Sequence, residues 1–122
     1  LFINANEADA LDWLSQNAST GDIVLASPEI GLLIPARSNL RVLYGHPFET
    51  LNASIEEQNI KNFYAGQMNL EQAQSYISEH HVAWVYWGPH EQALGTSALL
   101  NSLPVAYLNP VVTIYQIVDI QP

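Results

Sequence analysis

Apolar residues along the chain gather in two patterns, separated by turn residues. Short continuous runs rich in β-branched and aromatic side chains occur at Ile23 to Ala26, Arg41 to Tyr44, Val82 to Trp87, Pro104 to Leu108 and Val111 to Val118. Runs of this length without clean alternation predict strands, and those covered on both faces read as continuously apolar. Val82-Ala83-Trp84-Val85-Tyr86-Trp87 carries no charge until Glu91 and is expected at the centre of the sheet. Trp84 and Tyr86 would face one side, Val85 and Trp87 the other. Gly88-Pro89 closes the run, and Pro89 suits the first turn of a helix, where its missing N–H costs nothing.

Helical spacing fills the intervals. Asn6 with Asp9 offers an N-cap and a first-turn acid, and Ala10, Leu11, Trp13 and Leu14 give one apolar face through about Asn17. Ser27-Pro28-Glu29 opens a second helix, expected to end near Ile34 because Pro35 removes a donor and crowds the preceding turn. Ser54 with Glu57 reads as a capping box ahead of the stripe Ile60, Phe63 and Tyr64, which stops at Gly66. Asn69 with Gln72 caps another helix, with Leu70, Ala73 and Ile77 on one face. A helical turn at Gln92 to Leu94 and a weak helix at Ser97 to Asn101 precede a hairpin turning at Asn109-Pro110. Leu1-Phe2-Ile3 is an edge strand or a linker remnant. The order α-β-α-β-α-α-β-α-β-β predicts a single α/β domain over residues 1–122. We expect a three-layer Rossmann-like sheet, mostly parallel, with an antiparallel C-terminal hairpin and strand order 2-1-3-5-4.

Composition narrows the function. Twelve acids against three bases (Arg37, Arg41 and Lys61) give a formal charge of −9. A nucleic-acid binder relies on clustered Lys and Arg to neutralise phosphates, so that class is excluded, and an anionic membrane surface is disfavoured. Cysteine is absent, which removes disulfides, thiolate metal sites and a Cys nucleophile. No apolar run approaches the roughly 20 residues needed to span a bilayer. Because the chain starts at Leu1, we expect it to be excised from a larger protein, with several apolar spans ahead of Leu1.

The candidate chemistry lies in loops after strands: Glu29 after the first, His46 and Glu49 after the second, His90 and Glu91 after the third. Parallel strands bring these exits to one sheet edge, the usual ligand crevice of open α/β sheets. Arg37 enters the second strand and would start at the opposite edge unless its loop folds back. Two readings stand side by side. The polar groups form a sugar or metal site or an acid/base pair; or Glu29 and Glu91 serve helix dipoles, and His46 bonds its own turn beside Pro47. Ala26-Ser27-Pro28-Glu29-Ile30-Gly31 is not a dinucleotide fingerprint, and Glu29 would repel a pyrophosphate. His80-His81 are adjacent and would point apart on a helix. No catalytic residue, metal ligand set or cofactor is assigned. Trp13, Trp84 and Trp87 are expected in the core or an interface.

Four pieces carry a family resemblance: EADALDWLSQNASTGDIVLASPEIGLLIPA, RVLYGHPFET, VAWVYWGPHEQALG and PVAYLNPVVTIYQI. Together they resemble the soluble C-terminal domain of bacterial multi-spanning membrane proteins related to GT-C glycosyltransferases, of the protein mannosyltransferase and oligosaccharyltransferase kind. Its positions match here at Glu29, Gly31, Arg37, Gly45, His46, Glu49, Gly88, Pro89 and Glu91. The resemblance implies that the catalytic acids belong to the membrane part. This domain would be an extracytoplasmic, non-catalytic accessory supporting acceptor or lipid-linked donor binding, with the membrane-embedded part of the same chain as its partner. A small-molecule binding module and a structural or interaction domain are the alternatives.

Overall fold

The structure is a computed structural model, described for residues 2–43 and 53–118. Its centre is β3 (Val82–Trp87), flanked by the parallel strand β1 (Ile23–Leu25) and the antiparallel strand β5 (Thr113–Gln116). β2 (Arg41–Val42) pairs parallel to β1, and β4 (Val105–Leu108) pairs antiparallel to β5. The order is therefore β2-β1-β3-β5-β4, as the sequence predicts. Since β4 opposes β5, four of the five described strands run in one direction and β5 alone is reversed.

The alternation of β3 divides the interior. Val85 and Trp87 join one core, with Leu25, Ile60, Phe63, Tyr64, Ile77 and Leu99. Trp84 and Tyr86 join the other, with Leu11, Leu14, Val24, Ile30 and Ile114. The first core is roofed by α4 (Ala53–Tyr64), α5 (Leu70–Glu79) and a 3-10 segment (Ala98–Ser102). The second is covered by α1 (Ala5–Asn17), α2 (Pro28–Gly31) and α3 (Ile34–Arg37). This is a three-layer α/β architecture. α6 (Pro89–Gln92) leaves β3 directly at Gly88, with Pro89 in its first turn.

Several local expectations are corrected. α1 is capped by Asn4 with Glu7, each side chain accepting from the other's backbone N–H, and not by Asn6 with Asp9. The longer Glu side chain reaches back to the cap where the shorter Asp cannot. Pro35 does not simply end a helix: α2 stops at Gly31 and Pro35 sits in the first turn of α3, where no intrahelical donor is lost. Ser54 lies inside α4, and Glu57 pairs with Lys61 one turn on at 2.7 Å. The Asn69–Gln72 capping box of α5 forms as expected. The last strand begins at Thr113 rather than Val111, because the Asn109 side chain accepts from the N–H groups of both Val111 and Val112 and holds them in the turn. Phe2 and Ile3 form no strand, and Phe2 is exposed. Gly66 ends α4 with a positive φ of 75°, and a Cβ there would meet the Thr96 carbonyl oxygen at 2.8 Å.

Val85 is fully buried in β3. A charge there would be unpaired in an apolar layer, at a cost that exceeds the stability of a small domain. Val85→Asp should therefore leave the chain unfolded. A soluble Val85→Asp variant with the wild-type melting curve would remove β3 from the centre of the fold.

Candidate functional site

The loops that leave β1 and β3 meet at one sheet edge. Glu91, in the first turn of α6, folds its side chain inward and is fully buried. One carboxylate oxygen accepts from the Ser27 N–H at 2.8 Å, the other from the Gly88 N–H at 2.9 Å. Burial raises the Glu91 pKa above its ordinary 4.5, while hydrogen bonds from Ser27 and from backbone N–H groups, including that of Gly88, pull it partly back. Ser27 in turn caps α2, its Oγ accepting from the Ile30 N–H at 3.4 Å. One side chain thus ties the starts of α2 and α6 together.

Two tyrosines complete the junction. The Tyr64 hydroxyl, from α4, lies 2.9 Å from the Leu25 carbonyl and 2.7 Å from the Tyr86 carbonyl, spanning the ends of β1 and β3. Its pKa is raised well above the usual value, first by burial and then by the nearby Glu91, so it stays a donor. Tyr86 packs its ring against Gly88, where a Cβ would lie 2.9 Å from a ring carbon. Only glycine lets the chain turn so close to that fully buried ring.

His90 faces outward from this junction and links two other elements. Its Nε2 is 3.7 Å from Glu7 Oε2 on α1, and its Nδ1 is 3.9 Å from Glu29 Oε2 on α2. Glu7 is almost fully buried, and its Oε2 has no hydrogen-bond partner among the described residues. Glu29 is half exposed.

Of the residues singled out in the sequence, Glu29, His90 and Glu91 do converge at this edge. Arg37 does not join them: its ion pair is with Asp12, in the middle of α1, at 3.6 Å. His46 and Glu49 lie outside the described residues. Sequence reasoning missed Glu7, whose signal was the Asn4-x-x-Glu7 spacing, and Tyr86, which reads only as an apolar core position. Among the described residues no group of three or more His, Asp or Glu is placed to hold a metal ion. Trp84 and Trp13 pack edge to face at 5.6 Å, and Trp84 Nε1 donates to Asp22 at 2.9 Å, so both rings belong to the interior.

The fold defines an α/β sheet domain whose loop edge is organised by a buried carboxylate. It is shared with the C-terminal globular domain of the oligosaccharyltransferase from Archaeoglobus fulgidus, at a TM-score of 0.68 and 12% sequence identity, over 96% of this chain and 99% of that one. No family model and no curated protein matches the chain.

A pH series tests the role of Glu91. The unfolded chain releases the Glu91 proton near 4.5, whereas the folded protein holds it to higher pH. Its contribution is therefore full below 4.5 and is lost as pH rises through the folded value. Glu91→Gln abolishes this loss but turns an NH2 towards one of the two buried N–H groups, at a cost of about 1–3 kcal/mol. The stability gap between wild type and Glu91→Gln, measured by urea melts, should narrow as pH rises. An equal gap at about pH 4 and about pH 8 would show that burial does not dominate the carboxyl.

Proposed function

We propose that this chain is the non-catalytic accessory domain of a bacterial membrane glycosyltransferase-like protein, standing on the extracytoplasmic side and supporting binding of an acceptor or a lipid-linked sugar donor. One observation carries the reading: the fold matches an oligosaccharyltransferase's C-terminal globular domain over nearly the full length of both chains. The chemistry of the loop edge is in keeping with an accessory role. Glu91 has both oxygens engaged by backbone N–H groups, which leaves Glu29 and His90 as the groups proposed to face a hydroxyl-rich ligand, with His46 and Glu49 as further candidates outside the described residues. The membrane-embedded part of the same chain is the proposed partner.

A second reading, an interaction domain, is favoured by the edge strand β4, where Val105 and Leu108 are exposed. Both readings need a larger protein around the domain. In the complete open reading frame, several apolar segments of about 20 residues should precede Leu1. Deleting the domain from the parent should weaken acceptor or donor use, and the purified 122-residue chain should transfer no sugar. Sugar transfer by that chain alone would overturn the accessory role. A reading frame opening a few residues before Leu1 without such segments would overturn the membrane attachment.

A further inference from the structure

On the opposite layer from His90, α4, α5 and their connection border an open groove of about 700 Å³. Asn59 and Asn62 line it from α4, Gln67, Met68 and Asn69 from the connection, Gln72, Ser75 and Tyr76, with Glu71 and Glu79, from α5, and His80 from just beyond its end. Five of these residues are amides, and local structure sets which way three of them point. The oxygens of Asn69 and Gln72 are occupied by each other's backbone N–H groups in the capping box. The Asn62 oxygen accepts from Gln58 at 2.9 Å. In each case the NH2 end is left without a protein acceptor among the described residues, so the groove presents a row of neutral donors. Ser75 adds a hydroxyl, and the two carboxylates supply acceptors.

At one end of the groove, Tyr76 and His80 pack ring against ring at 4.6 Å, and His80 Nδ1 lies 3.0 Å from the Tyr76 carbonyl oxygen. Tyr76 is nearly buried, and its hydroxyl has no hydrogen-bond partner among the described residues. Burial, and secondarily Glu56, raises its pKa above the ordinary value, so the phenol stays protonated inside the core. Met68 provides the aliphatic part of the wall.

The chemistry of this lining selects a ligand. Its ionisable groups are two Glu, one His and the protonated Tyr76 phenol, with no Lys or Arg, so a phosphate, pyrophosphate or uronate would meet repulsion without a compensating cation. A peptide would want apolar pockets for its side chains, and the wall offers one methionine. Neutral hydroxyls suit both the amide donors and the carboxylate acceptors, while sugar C–H faces suit Met68 and the half-buried His80 ring. We infer that the α4–α5 groove binds a neutral saccharide, at a site separate from the loop edge at Glu91. This site belongs to the domain itself and holds whether or not a membrane part precedes it.

The test is an NMR titration of the 122-residue chain, following the side-chain amides and the His80 ring. The probes are millimolar mannobiose, maltotriose and N,N′-diacetylchitobiose, with inorganic pyrophosphate and the tripeptide Ala-Ser-Ala as controls. At least one neutral saccharide should give saturable shifts at Asn62, Asn69, Gln72 and His80, with none from pyrophosphate or the tripeptide. Ser75→Trp, which fills the exposed wall, and Asn62→Ala, which removes one donor, should each weaken binding about tenfold or more (1.4 kcal/mol) with unchanged melting curves. Octyl and methyl glycosides of the binding sugar should both shift the same residues, a tighter octyl form pointing to a lipid-linked source and equal affinities to a free or peptide-linked one. No saturable shift from any saccharide, shifts confined to Glu29 and His90, equal shifts from pyrophosphate or the tripeptide, or wild-type affinity in a folded Ser75→Trp would each overturn the groove site.

Discussion

The carboxylate of Glu91 is the constraint on which this sheet edge depends. A buried carboxyl group is costly unless its oxygens are bonded, and here both are, by backbone N–H groups from two separate loops. Satisfying it fixes the distance between Ser27 and Gly88, and so the relative start points of α2 and α6. The Tyr64 hydroxyl then reaches from the other layer to the carbonyls of Leu25 and Tyr86, stitching β1 to β3 just where their ladder ends. Loops that would otherwise carry unpaired polar groups become part of the interior. A rigid edge of this kind positions whatever stands outside it, and His90 between Glu7 and Glu29 stands first in line.

That arrangement separates structural from available chemistry. Glu91 and Ser27 are sealed, whereas Glu29 and part of His90 face outward. The opposite layer has a different character. Its surface groove includes three amides whose oxygens are already used by a cap and a side-chain pair, leaving their NH2 donors beside two carboxylates. The two faces thus suit different contacts, and β3 keeps them apart by sending alternate side chains into alternate cores.

Much of this fold was legible in the sequence because its strongest signals are local. Val82 to Trp87 reads as a central strand, and helix–strand alternation with a terminal hairpin leaves few topologies, of which the expected order is the one observed. Capping residues were legible as types but less so as positions: Asn4-x-x-Glu7 and Asn6-x-x-Asp9 compete, and side-chain length decides between them. Pro35 was ambiguous because the same ring that ends one helix can start the next. The convergence of Glu29, His90 and Glu91 followed from parallel strands. That Glu91 would turn inward and bond Ser27 N–H, 64 residues away, had no sequence signal, since that bond exists only once β1 and β3 are adjacent. Tyr64 was equally hidden: a helical stripe marks it as core but says nothing of the two carbonyls its hydroxyl meets.

The far edge of the sheet raises a different physical question. Exposed edge strands invite pairing with other chains, and natural proteins often guard them with charge. From Gln92 to Val118 there is no Asp, Glu, Lys or Arg at all. β4 is instead blunted by geometry: it is four residues long, follows Pro104, and slips register against β5 between Val105 and Tyr107. Shortness and a bulge stop a continuous ladder from growing, yet they leave Val105 and Leu108 uncovered. Charge would protect this edge from water-borne strands and equally from an apolar neighbour within the same protein. An edge defended by shape alone hinders the first while leaving Val105 and Leu108 open to the second.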